Sequence, residues 1–581
     1  MSPPVSSPTR DQRPTVRLDQ GTYIGTTLAE PEFPRVVEAF LGVPYARCER
    51  FRRAVPPGAS TDTFDASDYG PVCPTADPSL PSDEQCLNAN IFRPAGACKS
   101  KGVHGAKAER KKVPVLVYFH GGAFNFGRSG DRNLAAFVAF AKRDIVAVSF
   151  NYRLGPLGFL PCGVAAREGV ANNGLLDQRA LLQWVQQNIA SFSGDEEDVT
   201  VMGFSAGAHS LGHHVLSPPS RTLFHRAILE SGAPTARSVL SSTHPRHEAQ
   251  FARFLGHAAV SGHPPAQVLS ALRALPLRTL LDASLATWTE GAASVQWPFQ
   301  PSVDGEEDSV IPRPPIQSWA SPSLPPPPPL VTGFNTSEGT MFVPAAASSP
   351  TALADFFSDL IPALTLQDLD LLESLYPPAS TYPPPPTPAH GAQFRRLAQA
   401  YGHYGYIAPL FHSAHLASAK GAPVWMYEYA AHADLAAANH GDHVPAATHD
   451  TDVLSEHRTP GLLAVSDAMH GYWSSFAASA DGPNALPNAS GVDWPRFFSP
   501  FGDDREDAAA AAGDSVPDPE DPGETRGRIL VFGEGNDEFM GRKGERRRGA
   551  VARVRTLTAL EVRQFRFWWD RVGLSEGTGG C

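Results

Sequence analysis

Seven short apolar runs, each bounded by turn-forming residues, constrain this chain more than any other feature. They are Val115–Phe119, Ile145–Phe150, Val199–Met202, Ala227–Leu229, Leu330–Gly333, Val424–Tyr427 and Ile529–Phe532. A strand that is apolar at successive positions is covered on both faces, the condition of a parallel sheet clad in helices. Between the second and third runs, Leu175, Leu176, Leu181, Leu182, Trp184, Val185 and Ile189 recur at helical spacing, so that segment should lie with one face on the sheet. Leu557, Leu560, Val562, Phe565, Trp568 and Trp569 repeat the pattern after the last run. The expectation is an α/β fold with a large, mostly parallel central sheet flanked by helices and long insertions. With 42% hydrophobic residues in 581, the chain can bury a core of that size.

The 56 prolines and 50 glycines gather in a few stretches that read as insertions. Residues 98–112 are basic, and 321–329 and 380–390 hold the runs Pro325–Pro329 and Pro383–Pro386, expected as extended spacers. Residues 503–526 mix acids, alanines and prolines and are expected to be disordered, as is an N-terminal tail over 1–15. A single domain is expected over 16–575. The net charge of -12 and pI near 5.9 argue against a general nucleic-acid or anionic-membrane binder. No stretch approaches the roughly 20 apolar residues of a membrane-spanning helix. The N-terminus lacks the apolar core of a secretory signal, so the expected location is cytoplasmic, or extracellular if the start of the chain is misassigned. The six cysteines, Cys48, Cys73, Cys86, Cys98, Cys162 and Cys581, form no CxxC pair, and neither metal nor cofactor is expected. Cys73 and Cys86 flank a polar, proline-containing stretch and look like partners, which a reducing cytosol would keep as thiols.

Gly203-Phe204-Ser205-Ala206-Gly207 follows the run Val199–Met202 and precedes a helix-compatible stretch through His214. A serine hydroxyl is a weak nucleophile, so acyl transfer needs a base beside it, a group orienting that base, and donors for the oxyanion. Strand, turn and helix in that order are the context of a nucleophile elbow, where the two glycines permit a strained turn. A lone G-x-S-x-G arises easily as a plain turn, and its place after a buried strand is what favours Ser205 as nucleophile. His120-Gly121-Gly122-Ala123-Phe124 directly follows the strand ending at Phe119. Small residues there let the N–H groups of Gly122 and Ala123 approach a developing oxyanion, with the N–H of Ala206 completing the hole.

Further motifs run in order along nearly the whole chain: Phe40-Leu41-Gly42-Val43-Pro44-Tyr45-Ala46, Cys86-Leu87-Asn88-Ala89-Asn90, Asn151-Tyr152-Arg153-Leu154-Gly155-Pro156-Leu157-Gly158-Phe159 and Gly174-Leu175-Leu176-Asp177-Gln178-Arg179. With the elbow and the glycine loop they resemble the type-B carboxylesterase and cholinesterase-like lipase family, in its fungal style. The resemblance implies an α/β-hydrolase fold and a serine, glutamate and histidine triad in that chain order. It assigns the acid to Glu338, in Gly333-Phe334-Asn335-Thr336-Ser337-Glu338-Gly339-Thr340, where it would hold the imidazole in the right tautomer. It assigns the base to His440, in Asn439-His440-Gly441-Asp442 after the strand Val424–Tyr427. Composition makes no such choice among 20 histidines, and His432 and His443 are neighbours with the same chemistry. The family's disulfide near the entrance maps onto Cys73 and Cys86.

Two positions depart from the family pattern. Phe204 stands where the elbow usually has glutamate, which removes a carboxylate from beside the nucleophile. Ala123 stands where many members have a third glycine, keeping the N–H and adding a methyl. Asn335 and Asn488 each head a glycosylation sequon, and a glycan on Asn335 would crowd Glu338. Trp297, Phe299, Phe342, Tyr401, Tyr404 and Trp425 could line an acyl or alcohol pocket, although aromatic residues at such spacing are more often core. The activity implied is hydrolysis of a small-molecule carboxylic ester through an acyl-enzyme. The same residues would serve a lipase, thioesterase, amidase or acyltransferase. A non-catalytic, cholinesterase-like interaction protein is disfavoured by retention of all three side chains.

Overall fold

The computed structural model describes residues 13–75, 77, 81–96, 112–236, 239–292, 294–305, 308–456, 459–502, 526–540 and 546–575. In chain order the strands are β1 (Thr15–Leu18), β2 (Gly21–Ile24), β3 (Thr26–Leu28), β4 (Val37–Pro44), β5 (Thr63–Asp65), β6 (Asn88–Pro94), β7 (Val113–Phe119), β8 (Val146–Phe150), β9 (Gly194–Phe204), β10 (Arg226–Glu230), β11 (Leu330–Asn335), β12 (Val424–Tyr429), β13 (Arg528–Phe532) and β14 (Ala552–Thr556). An 11-stranded sheet has the order β14-β13-β12-β11-β10-β9-β7-β8-β6-β4-β3, and β1, β2 and β5 form a smaller one.

From β8 to β13 every pairing is parallel, and these strands contain the seven apolar runs. Val115, Val117, Val201 and Leu229 bury against one layer of helices that includes Leu181 and Trp184. Leu116, Met202 and Ile228 bury against the other, with Phe137 and Trp473. Successive residues thus feed opposite cores, as the pleat requires.

The antiparallel margins were not anticipated. β14 carries Arg553, paired with Glu534, and Arg555, which donates to Glu428 at 2.6 Å and Glu561 at 2.8 Å, so it shows no apolar run. It also separates β13 from the helix Ala559–Trp569, whose N-cap Thr558 forms a capping box with Glu561. Leu557 precedes that helix and Leu560 is exposed, so the buried stripe is narrower than its spacing implied. The other expected helix runs from Asn173 to Asn188.

Residues 1–12, 97–111 and 503–525 lie outside the described residues, and the tail, basic-insertion and disorder expectations fall largely on them. At the N-terminus the boundary at 16 is too late, because β1 begins at Thr15 and Arg13 Nε donates to the Gly25 carbonyl at 2.7 Å. Pro325–Pro329 is not a free spacer: Pro327 and Pro328 are buried beside Val215 and Trp319 and lead directly into β11. Cys73 and Cys86 are joined by a disulfide, with Cα atoms 4.9 Å apart, rather than held as thiols. Cys48 and Cys162 are buried and free, while Cys98 and Cys581 lie outside the described residues. Among the described residues no helix is long and apolar enough to cross a membrane.

Candidate active site

Ser205 sits between β9 and the helix Ala206–Leu216, with φ 54° and ψ -121°. The strain of the turn is therefore carried by the serine itself, a conformation that costs on the order of 1–3 kcal/mol. Gly207 serves a different purpose from the one its motif suggested: a Cβ there would lie 2.1 Å from the Phe119 carbonyl oxygen, so glycine is needed for close approach. Ser205 N–H donates to the Glu230 carbonyl at 2.9 Å, which ties the turn to the neighbouring strand. In the loop after β7, Gly122 has φ 110° and Ala123 φ 52°. A Cβ on Gly121 would lie 3.1 Å from the Ser205 Cβ, so this loop runs alongside the serine. Ala206 opens its helix, where amides have no intrahelical acceptor.

His440 Nε2 lies 2.8 Å from Ser205 Oγ, and His440 Nδ1 lies 2.5 Å from Glu338 Oε2. Glu338 is fully buried. Its other oxygen accepts from Ser231 Oγ and Asn335 N, both at 2.6 Å. Burial alone would raise the Glu338 pKa, but the charge and hydrogen bond of His440, with those of Ser231 and Asn335, outweigh it and hold the carboxyl below its ordinary value. Phe204, Tyr406 and Phe342 surround the imidazole with centroid distances of 4.7, 4.6 and 5.3 Å. His443 and His432 do not take this place. The buried His443 ring faces Asn335 Nδ2 at 3.1 Å and Glu230, and His432 pairs through its backbone with Asn536.

A family model for carboxylesterases matches residues 12–509. The chain belongs to the carboxylesterase family. This carboxylesterase is 31% identical to "Secreted lipase 4" of Gibberella zeae over 498 residues, covering 83% of the chain and 86% of the relative. It is 28% identical to the para-nitrobenzyl esterase of Bacillus subtilis over 497 residues, 79% of the chain and 89% of that protein. Among solved structures, one titled "PNB esterase" superimposes with a TM-score of 0.70 at 26% identity, covering 95% of the chain and all of the other. The protein is a serine carboxylesterase with the α/β-hydrolase fold.

Several of the carboxylesterase's buried residues around the site had no signature in the sequence. Glu230, at the end of β10, stands in register with Phe204. Arg132 pairs with both of its oxygens, and Trp473 Nε1 donates to it at 2.7 Å. His443 Nε2 lies 3.7 Å away. Burial opposes ionisation of Glu230, yet Arg132 and His443 pull its pKa down to about 2. The carboxylate missing from position 204 thus has a counterpart one strand away, neutralised by Arg132. Asn335 is fully buried, its amide nitrogen committed to Ser231, Glu338 and His443, so its sequon offers no acceptor in the folded chain. Of the six candidate pocket aromatics, Trp297, Tyr401 and Tyr404 line a cleft beside Phe124, and Phe342 packs on His440. Phe299 is core against Phe254. Trp425 packs against Phe476 in the opposite core.

Proposed function

We propose that this carboxylesterase cleaves its ester through an acyl-enzyme on Ser205, with His440 as general base and Glu338 as the acid that orients it. The supporting observation is the chain of contacts from Ser205 Oγ to His440 at 2.8 Å and from His440 to the buried Glu338 at 2.5 Å. His440 takes the serine proton as Oγ attacks the ester carbonyl, and the backbone N–H groups of Gly122, Ala123 and Ala206 receive the oxyanion. Collapse of the tetrahedral intermediate expels the alcohol, which takes the proton from His440. Water, deprotonated by the same imidazole, then releases the acid. Glu338 stays ionised throughout and stabilises the imidazolium. The Cys73–Cys86 bond and the secreted relative support an extracellular site of action, since disulfides persist in oxidising compartments.

The test compares wild type and Ser205→Ala on nitrophenyl esters of increasing acyl length, with fluorophosphonate labelling. Wild type should turn over and take the label at Ser205, and the variant should lose kcat by about 10⁴-fold or more and remain unlabelled. A variant that keeps its rate or its label sinks the assignment.

A further inference from the structure

Beside the glycine loop lies an open cleft of about 700 Å³, counting the solvent at its mouth. Phe124 and Trp297 give it apolar walls, while His213, Gln250 and Arg246 bring polar atoms to it. His213 is 3% exposed. Gln250 is 5% exposed. Its Nε2 donates to the Gln296 carbonyl at 2.9 Å, but its buried Oε1 has no partner among the described residues. Arg246 Nη2 donates to the Leu360 carbonyl at 3.0 Å, and no carboxylate among the described residues pairs with it. Among the described residues no Asp or Glu lines the cleft. Arg246 also borders an adjoining, solvent-open cleft with His244 and Asp359, so the residue lines both.

We propose that the inner cleft is a subsite for an acyl group with a distal carboxylate, which Arg246 binds, so that the favoured substrates are half-esters of dicarboxylic acids. This rests on the assignment of Ser205 and His440. His440 hands its proton to the leaving alcohol, which places the alcohol on the imidazole side. None of Phe204, Phe342 and Tyr406, the rings around His440, lines the cleft, whereas Phe124 directly follows the loop that faces the oxyanion. The acyl half therefore has the cleft. An arginine stays charged even where burial lowers its pKa, as it does for Arg246, and its fork matches a carboxylate. Burial pushes His213 down to about 3 and His247 to about 4, so at neutral pH both are uncharged, and among the described residues Arg246 is the arginine or lysine that lines the cleft. Apolar walls suit the methylenes between the two carboxyl groups, and the opening beyond Arg246 leaves the distal carboxylate partly hydrated, which limits its desolvation penalty.

The experiment measures kcat/KM for monobenzyl succinate, glutarate and adipate against benzyl butyrate, pentanoate and hexanoate, following benzyl alcohol release. Wild type should favour the charged ester by about tenfold or more at one chain length at least, the effect of a charge-assisted hydrogen bond. Arg246→Gln should abolish that ratio, and Arg246→Lys should restore part of it. Free adipate should also inhibit wild type more strongly than hexanoate, a readout that needs no variant. Equal or better turnover of neutral esters at every length, or a preference that survives Arg246→Gln, overturns the inference while leaving the Ser205 assignment intact. Turnover of neither series, with no fluorophosphonate label, is instead the failure of the Ser205 assignment.

Discussion

Asp442 lies two residues beyond His440 and holds the loop that carries it. Its Oδ2 accepts from Asn439 N at 2.7 Å and Asn439 Nδ2 at 3.1 Å, and Asn439 Oδ1 in turn accepts from Thr340 Oγ1 at 2.7 Å. Burial pushes the Asp442 pKa up from 3.8 to about 6 despite these hydrogen bonds. Between those values the folded state keeps a proton that the unfolded chain has released, so this residue's contribution to stability falls as pH rises through the window. Asp442→Asn removes the titration. Relative to wild type the variant should gain on the order of 2 kcal/mol between pH 4 and 7 in urea unfolding, part of the full shift being lost to solvent screening. A stability difference that stays constant over that range contradicts the argument. Ser231 belongs to the same scale: a single hydroxyl, on a residue with φ 55°, donates to the Glu338 oxygen that does not face His440.

At the scale of elements, the site depends on how closely the helix Ala206–Leu216 seats against β7 and β9. A Cβ on Gly203 would meet the Gly207 carbonyl carbon at 2.6 Å, and one on Gly207 would meet the Phe119 oxygen at 2.1 Å. Backbone on both sides of these contacts leaves nothing that can rotate away. Gly207→Ala should therefore destabilise the fold by about 3 kcal/mol or more and abolish labelling of Ser205, read from thermal unfolding and fluorophosphonate capture. Gly256 is the control. It sits in the helix Pro245–His257 with its nearest foreign atom 3.7 Å from an added Cβ, so Gly256→Ala should be neutral or slightly stabilising.

Across the whole molecule, Glu230 joins parts of the chain that are remote in sequence. It ends β10, pairs with Arg132 in the segment before the helix Leu134–Phe140, accepts from Trp473 in the helix Pro460–Ala478, and faces His443. Arg132 and Glu230 are both fully buried at their side chains, so removing one charge leaves the other uncompensated. Glu230→Gln should cost about 3 kcal/mol in urea unfolding; an unchanged midpoint would mean that Arg132 finds another anion. The sequence by itself determined the seven parallel strands, because burial on both faces forces apolar residues into consecutive positions, a local signal. Local motifs and their family resemblance likewise singled out Ser205, Glu338 and His440 as candidates, and the fold places their side chains within hydrogen-bond distance of one another. Only the tertiary structure decided that Glu230 stands beside Phe204, that Ser231 and Asn335 hold Glu338, that Arg555 ties β14 to the sheet, and that Arg246 opens onto the cleft. Ion pairs and buried hydrogen bonds depend on which strand ends and loops meet, and that adjacency has no period along the chain.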